Sequence, residues 1–400
     1  MSVPGQSSEH PPGFAPLGGL ALHRCLSTWR LLIPSNVHSA LAAERKVTRE
    51  FDEPAEGAAE SSPEQPTTDV PAEVVPTLRR ARLRHVRVFK PEALERANTN
   101  LKAADRDQVK YARPLLERAG DDEGYRALPR IRSAQKKLEK AQGMFANLRE
   151  PIQKLRNDLT LASAMRTKDF RIRPVLLTGL PGVGKTHFAL GLADALGVPM
   201  QKWAAGSAQA GFQLVGGDSG WRHARPGMVV ELLAKSNAAT PVLVLDEVDK
   251  LGCDGNYPVL PALLDLLEYE TASKFEDAFF RMEFDASRII VVLTANDPRA
   301  VPAPLLSRAE VFDIPAPEPE QRLLIIQAEV ERLRRSTRRR IELDLQAAHA
   351  LAERTDIDLR QTHRLLADAF ATALTEGKGF AVPKMPAHVG RQAIGFVTSP

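Results

Sequence analysis

Cysteine is nearly absent from this 400-residue chain: only Cys25 and Cys253 occur. They have no metal-ligand spacing and form no disulfide framework, so a stapled secreted domain is excluded and a reducing, cytoplasmic setting is expected. No run of 18 apolar residues occurs, so no membrane span is predicted. The apolar stretch 17–33 is interrupted by His23, Arg24 and Arg30 and follows no basic segment, unlike a secretion signal. An excess of one charge is missing too. Lys and Arg number 54 against 50 Asp and Glu, so charge alone does not demand nucleic acid. Apolar residues make up 43% of the chain, enough for a sizeable core in two or three domains.

Against these absences stands one stretch, Gly179-Leu180-Pro181-Gly182-Val183-Gly184-Lys185-Thr186, which satisfies the phosphate-binding pattern G-x-x-x-x-G-K-[ST]. Gly182 and Gly184 can take positive φ and bring backbone N–H groups around an anion. Lys185 supplies a positive charge for the β- and γ-phosphates, and the Thr186 hydroxyl can complete the coordination of Mg²⁺. The apolar run 174–178 before the loop reads as a buried strand. The segment 187–196 after it reads as a helix whose positive end faces the phosphates.

The rest of the chain divides around this loop. Residues 1–76 form a Pro- and Glu-rich tail expected to be largely disordered. Within it, 20–33 is either a short docking helix or a transient apolar patch. Residues 77–150 hold a basic stretch and a helical linker region. The basic run 79–90 is either a phosphate-contacting strand or a solvated linker. The linker is preferred, because no aromatic stacking platform accompanies the charge. Ile131, Ala134, Leu138, Ala141, Phe145, Leu148, Ile152, Leu155 and Leu159 then recur at spacings of three and four. Gly143 and Pro151 interrupt this pattern, so two helices are expected. They either form a coiled coil between subunits or, preferably, pack inside the molecule in front of the core.

Residues 151–315 alternate strands and helices, the signature of a parallel α/β sheet. Strands are expected at 174–178, 198–204, 241–246, 288–295 and 310–314. Residues 316–377 read as a small all-α lid built on amphipathic segments 319–333, 343–354 and 359–374. A tail, 378–400, follows.

The second chemical element is the strand Pro241-Val242-Leu243-Val244-Leu245 ending in Asp246-Glu247. It places two carboxylates at the sheet edge where open α/β sheets bind ligands. Asp246 is expected to hold Mg²⁺ with Thr186, and Glu247 to polarise the water attacking the γ-phosphate. A third strand, Ile289 to Ala295, ends at Asn296, an amide suited to orienting that water. Arg308 precedes the last strand and could reach the γ-phosphate of a neighbouring subunit.

Taken together, Gly179 to Thr186, Asp246-Glu247, Asn296 and Arg308, followed by a helical domain, resemble an AAA+ ATPase. Three phrases are similar to the ATPase module of Lon proteases: Leu245-Asp246-Glu247-Val248-Asp249-Lys250, Pro261 to Glu268, and Val301 to Val311. The resemblance covers roughly residues 150–375. It implies a five-stranded AAA+ sheet with a helical lid, and ATP with Mg²⁺ as ligands. It makes Lys185 and Thr186 the Walker A pair and Asp246 and Glu247 the Walker B pair. Asn296 becomes sensor 1, Arg308 the arginine finger, and Arg360 the sensor 2 residue of the lid. Gly179, Pro181, Gly182, Val183, Gly184, Lys185, Thr186, His187, Asp246 and Arg360 are the implied nucleotide contacts. Trp221 precedes an Ala-x-Pro-Gly turn, as a substrate-gripping pore-loop aromatic does.

The function implied is an ATP-driven protein-remodelling motor in a homo-oligomeric, hexameric ring. A nucleic-acid-associated ATPase is the alternative, resting on 79–90 and on the arginine-rich segment 334–340. After Arg308 the only serines are Ser336 and Ser399, and no Ser–Lys peptidase dyad can be assigned. Proteolysis by this chain is therefore not expected.

Overall fold

Runs of Val, Leu and Ile without a polar residue cannot face water on either side, and here they form the centre of a sheet covered on both faces. The computed structural model describes residues 84–386 apart from 103, 206–210 and 252–258. In chain order these residues begin with β1 (His85–Arg87), α1 (Pro91–Leu101), α2 (Arg106–Gly120), β2 (Tyr125–Ala127), α3 (Ile131–Lys140) and α4 (Arg149–Ala164). There follow β3 (Val175–Thr178), α5 (Lys185–Leu196), β4 (Met200–Ala204), α6 (Met228–Lys235), β5 (Val242–Asp246) and α7 (Val259–Leu267). Next come β6 (Phe275–Asp277), β7 (Met282–Phe284), β8 (Ile290–Thr294) and β9 (Glu310–Asp313). The last elements are α8 (Pro319–Thr337), β10 (Glu342–Leu343), α9 (Leu345–Glu353), α10 (Leu359–Thr375) and β11 (Phe380–Ala381).

The main sheet has five parallel strands in the order β4-β5-β8-β3-β9. β3 and β8 are buried along their whole length, as is β5 up to Leu245. All five strands expected from the sequence are present, each a little shorter than its apolar run. Because every strand points the same way, Thr178, Ala204, Asp246, Thr294 and Asp313 end at one edge. This edge carries the chemistry.

The segment expected as a basic stretch and helical linker packs into the same core. Val86, Val88 and Phe89 lie in one apolar cluster with the sheet residues, as do Leu115, Leu138 and Ile152. β1 pairs antiparallel with β2, α2 packs on α6, and α3 packs on both α4 and α5. The three-and-four pattern from Ile131 to Leu159 splits into α3 and α4 through a turn at Ala141–Gly143. Every member except Ala141 is buried, so the pattern packs inside the chain and leaves no coiled-coil seam. Arg84 and Arg87, from the basic run, spend their charge internally. Arg84 lies over the Phe170 ring and donates to the carbonyls of Ser163 and Met165, while Arg87 lies over Tyr125. Residues 79–83, the tail 1–76 with its 20–33 segment, Cys253 and most of 378–400 lie outside the described residues.

The lid has its own core, built from Ile326, Val330, Leu351, Leu366 and Phe370. Among the described residues no helix is long and apolar enough to cross a membrane. Three short strand pairings depart from the expectation. β2 pairs with β1, and an antiparallel hairpin β6–β7 appears. The lid expected to be all-α carries the parallel pair β10–β11, whose second strand lies in residues expected as tail. Strands of two or three residues are too short to leave a periodic signal.

Candidate active site

The phosphate-loop sequence turns from β3 into α5 through positions only glycine can fill. Gly179 sits at φ 135°, and a Cβ there would lie 2.4 Å from the carbonyl oxygen of Ile314. Gly182 sits at φ 81°, and its Cβ would lie 2.6 Å from the Asp358 carboxylate that caps α10. The Leu359 N–H donates to the Gly182 carbonyl at 3.3 Å, so the lid helix rests directly on the loop.

Beside the loop is a cavity of about 580 Å³. Pro181, Gly182, Val183, Gly184, Lys185, Thr186 and His187 line it from the loop and α5. Asp246, Glu247 and Asn296 line it from the sheet edge, and Arg360 from the lid. Gly179 stands just behind, its carbonyl accepting a bond from Lys185. Two residues expected at a functional centre are elsewhere. Arg308 is absent from the lining; it pairs with Glu268 at 3.2 Å and donates to the Pro304 carbonyl. Trp221 is also absent from it, 47% exposed on its loop and edge-on to Phe212 at 6.3 Å.

Inside the cavity Lys185, Asp246 and Glu247 already have partners. Lys185 donates to the carbonyls of Gly179 (2.6 Å) and Leu180 (3.0 Å) and to Asn296 Oδ1 (3.0 Å). Burial pulls its pKa below the ordinary lysine value, against the opposing pull of Asp246, Asp249 and Glu247. The hydroxyls of Thr186 (3.1 Å) and Thr294 both donate to Asp246 Oδ1, and the Lys202 ammonium sits 2.5 Å from Oδ2. Burial alone would raise the Asp246 pKa; hydrogen bonds from Lys202 and Thr294 outweigh it, and the group stays ionised.

The pattern implies Mg²⁺, and the donors fit it. A hydroxyl and a carboxylate oxygen are hard ligands, and Lys202 marks a place where positive charge is welcome. No group of three His, Cys, Asp or Glu able to hold a metal exists among the described residues.

Glu247 adopts the left-handed conformation at φ 58°, a strained setting for a residue with a side chain. Its N–H donates to Thr294 Oγ1 at 3.2 Å, and its carboxylate is held by Lys250 at 2.8 Å. The Asp249 carboxylate accepts the N–H groups of Asn296 (3.0 Å) and Asp297 (3.1 Å), so it shapes the turn that presents the Asn296 amide. Lys202, Thr294, Asp249 and Lys250 were not singled out from the sequence. A signal was available for three of them: Thr294 ends a predicted strand, and Asp249 and Lys250 lie in the phrase following Asp246-Glu247, whereas Lys202, in the middle of β4, left none.

The same cavity also has an apolar and aromatic lining, with Met144, Phe145, Leu148, Ile325 and Leu359. His187 and His363 meet there edge-on at 5.5 Å, and burial, then mutual proximity, lowers the pKa of His187. The lining thus offers apolar surface for a flat ring together with charged groups for a phosphate chain.

Residues 175–315 match the profile of the ATPase family associated with various cellular activities (AAA). Two curated relatives are Lon proteases. That of Mesomycoplasma hyopneumoniae is 29% identical over 224 residues, covering 56% of this chain and 24% of the relative. Lon protease 2 of Sorangium cellulosum is 37% identical over 143 residues, covering 36% of this chain and 18% of the relative. The chain thus spans about a quarter or less of these relatives. Among solved structures, a closed-state reconstruction of Hsp104 with ATPγS and FITC casein matches at a TM-score of 0.51 and 16% identity. That match covers 62% of this chain and 49% of the other, and it speaks for the fold alone.

Proposed function

We propose, starting from an AAA ATPase module in residues 175–315 that is similar to the ATPase region of Lon proteases, that this chain hydrolyses ATP to remodel a protein substrate. The observation that carries the reading is the convergence of Lys185, Thr186, Asp246, Glu247 and Asn296 on one cavity from three separate elements. Lys185 exchanges its two carbonyl partners for phosphate oxygens. Mg²⁺, held by Thr186 and Asp246, neutralises phosphate charge when bound. Asn296 orients a water and Glu247 accepts its proton as the water oxygen bonds to the γ-phosphorus. The bond to the β-phosphate oxygen breaks, leaving ADP and inorganic phosphate.

Arg308 lies outside the cavity of its own chain, which suits delivery to a neighbour's γ-phosphate in a closed ring, with six copies expected. Arg360 serves as the lid's contact with nucleotide. The Trp221 ring, exposed on its loop, is the element that holds the protein substrate. The work assigned is a pull on a chain, without peptide-bond cleavage. Of the two stretches behind the nucleic-acid alternative, Arg84 and Arg87 contact rings of this chain, whereas Arg338, Arg339 and Arg340 are exposed, so the DNA comparison below decides it.

Glu247→Gln tests the catalytic assignment. It removes the proton acceptor and keeps the shape, so ATP binding should persist while turnover falls about 10²- to 10⁴-fold. Hydrolysis at the wild-type rate would sink the assignment. Comparing ATPase rates with unfolded casein, with DNA and with neither tests the substrate class. Stimulation by DNA alone would favour the alternative.

A further inference from the structure

The Trp221 loop is fixed at its carbonyl by a side chain more than a hundred residues upstream. Gln108, buried in the first turn of α2, donates from Nε2 to the Trp221 carbonyl at 2.7 Å. Its Oε1 accepts the Asp105 N–H at 3.2 Å and closes the capping box of α2. The amide cannot be flipped. Trp221 O is an acceptor only and Asp105 N–H a donor only, so each end of the amide has one permitted neighbour.

Other contacts tie the same helix to the same loop. The Arg225 guanidinium lies 5.0 Å from the centre of the Tyr111 ring, and the Tyr111 hydroxyl donates to Glu231 of α6 at 3.1 Å. From the opposite side the β6–β7 hairpin holds the loop's base, where Asp277 accepts the Gly227 N–H at 2.7 Å.

We propose that α2 is a rigid brace for the Trp221 loop and that Gln108 is its positioning residue, fixing the loop backbone while the aromatic ring remains exposed to a polymer. The holding role of Trp221 belongs to the function proposed above; the brace stands on geometry alone. A loop that must transmit force needs an anchor on a folded element, since a free loop spends the stroke on its own backbone entropy.

Gln108→Glu separates the two duties of the side chain. Glutamate keeps the acceptor for Asp105 N–H and is a usual residue at this position of a capping box. It loses the donor to Trp221 O and sets oxygen against oxygen. Hydrogen–deuterium exchange of the full chain, followed by mass spectrometry, should show residues 218–226 exchanging about tenfold faster, with 106–120 unchanged. Unchanged exchange at 218–226 would overturn the brace. If 106–120 loosens as well, Asp105→Ala, which weakens the α2 cap and leaves the Gln108–Trp221 bond in place, decides. Exchange at 218–226 faster in Gln108→Glu than in Asp105→Ala supports the brace, and equal exchange at 218–226 in both refutes it. A functional arm uses casein-stimulated ATPase. Gln108→Glu should keep the basal rate and lose most of the stimulation. If the wild-type chain shows no stimulation while the exchange result holds, the brace survives and the protein-holding role of Trp221 falls.

Discussion

Asp246, proposed above to hold Mg²⁺, has more protein partners than such a ligand beside phosphates could keep. Two hydroxyls occupy one oxygen and the Lys202 ammonium the other. Lys202 was unremarkable in the sequence, one basic residue on a strand, yet its register beside β5 brings it to the carboxylate. A lysine and Mg²⁺ compete for the same negative charge. Half-exposure lets Lys202 swing away, and solvent screening keeps the competition mild. Lys202→Met should therefore lower the Mg²⁺ concentration needed for half-maximal binding of a fluorescent ADP, by about threefold. An unchanged or higher requirement would show that Lys202 does not oppose the ion. Glu247 makes a second point at this scale. Its left-handed backbone costs roughly 1–2 kcal/mol, and that strain is offset by Thr294, which accepts the Glu247 N–H, and by Lys250, which pairs with the carboxylate.

At the level of elements, the hairpin β6–β7 is the least anticipated part and has a titratable centre. Asp277 is almost wholly buried and accepts N–H groups from Gly227 and Phe280. Burial outweighs those bonds and pushes its pKa from the ordinary 3.8 up to about 7. A carboxyl raised on folding favours the protonated fold. Its contribution to stability is complete below about pH 4 and is lost as pH rises towards 7. Denaturant unfolding at pH 5 and pH 8 should show the wild-type chain losing stability on this account. Asp277→Asn should flatten that slope. It should also cost about 1–3 kcal/mol, because the amide nitrogen would face a backbone N–H that needs an acceptor. A variant with the wild-type pH slope would remove Asp277 from the explanation.

At the scale of the whole molecule, the ring proposed above rests on the separation of Arg308 from its own cavity, and mixing two variants tests it. Glu247→Gln lacks the proton acceptor, and Arg308→Ala lacks the cation for the neighbour. Each should be inactive alone. In a random equal mixture about a quarter of the interfaces carry both intact groups, so about a quarter of wild-type ATPase should return. If mixed rings assemble and no activity returns, Arg308 acts within its own chain or not at all.

What the sequence determined by itself was the order of the chemistry: a Gly-rich turn, then strands that end in Asp246-Glu247 and Asn296. Local rules suffice there, because a run of β-branched and leucine residues buries as a strand whatever lies beside it, and the residue after the run must emerge at the sheet edge. The heptad-like pattern likewise announced two helices but left their partner open, since periodicity states which face is apolar and not what covers it. Tertiary structure alone decided the rest. Strand order brought Lys202 and Thr294 to Asp246, and the turn after β5 brought Asp249 to Asn296. The fold also carried Gln108 to the carbonyl of Trp221, 113 residues away in sequence. Contacts of this kind depend on strand register and on the close approach of distant backbone, and neither leaves a periodic trace in the chain.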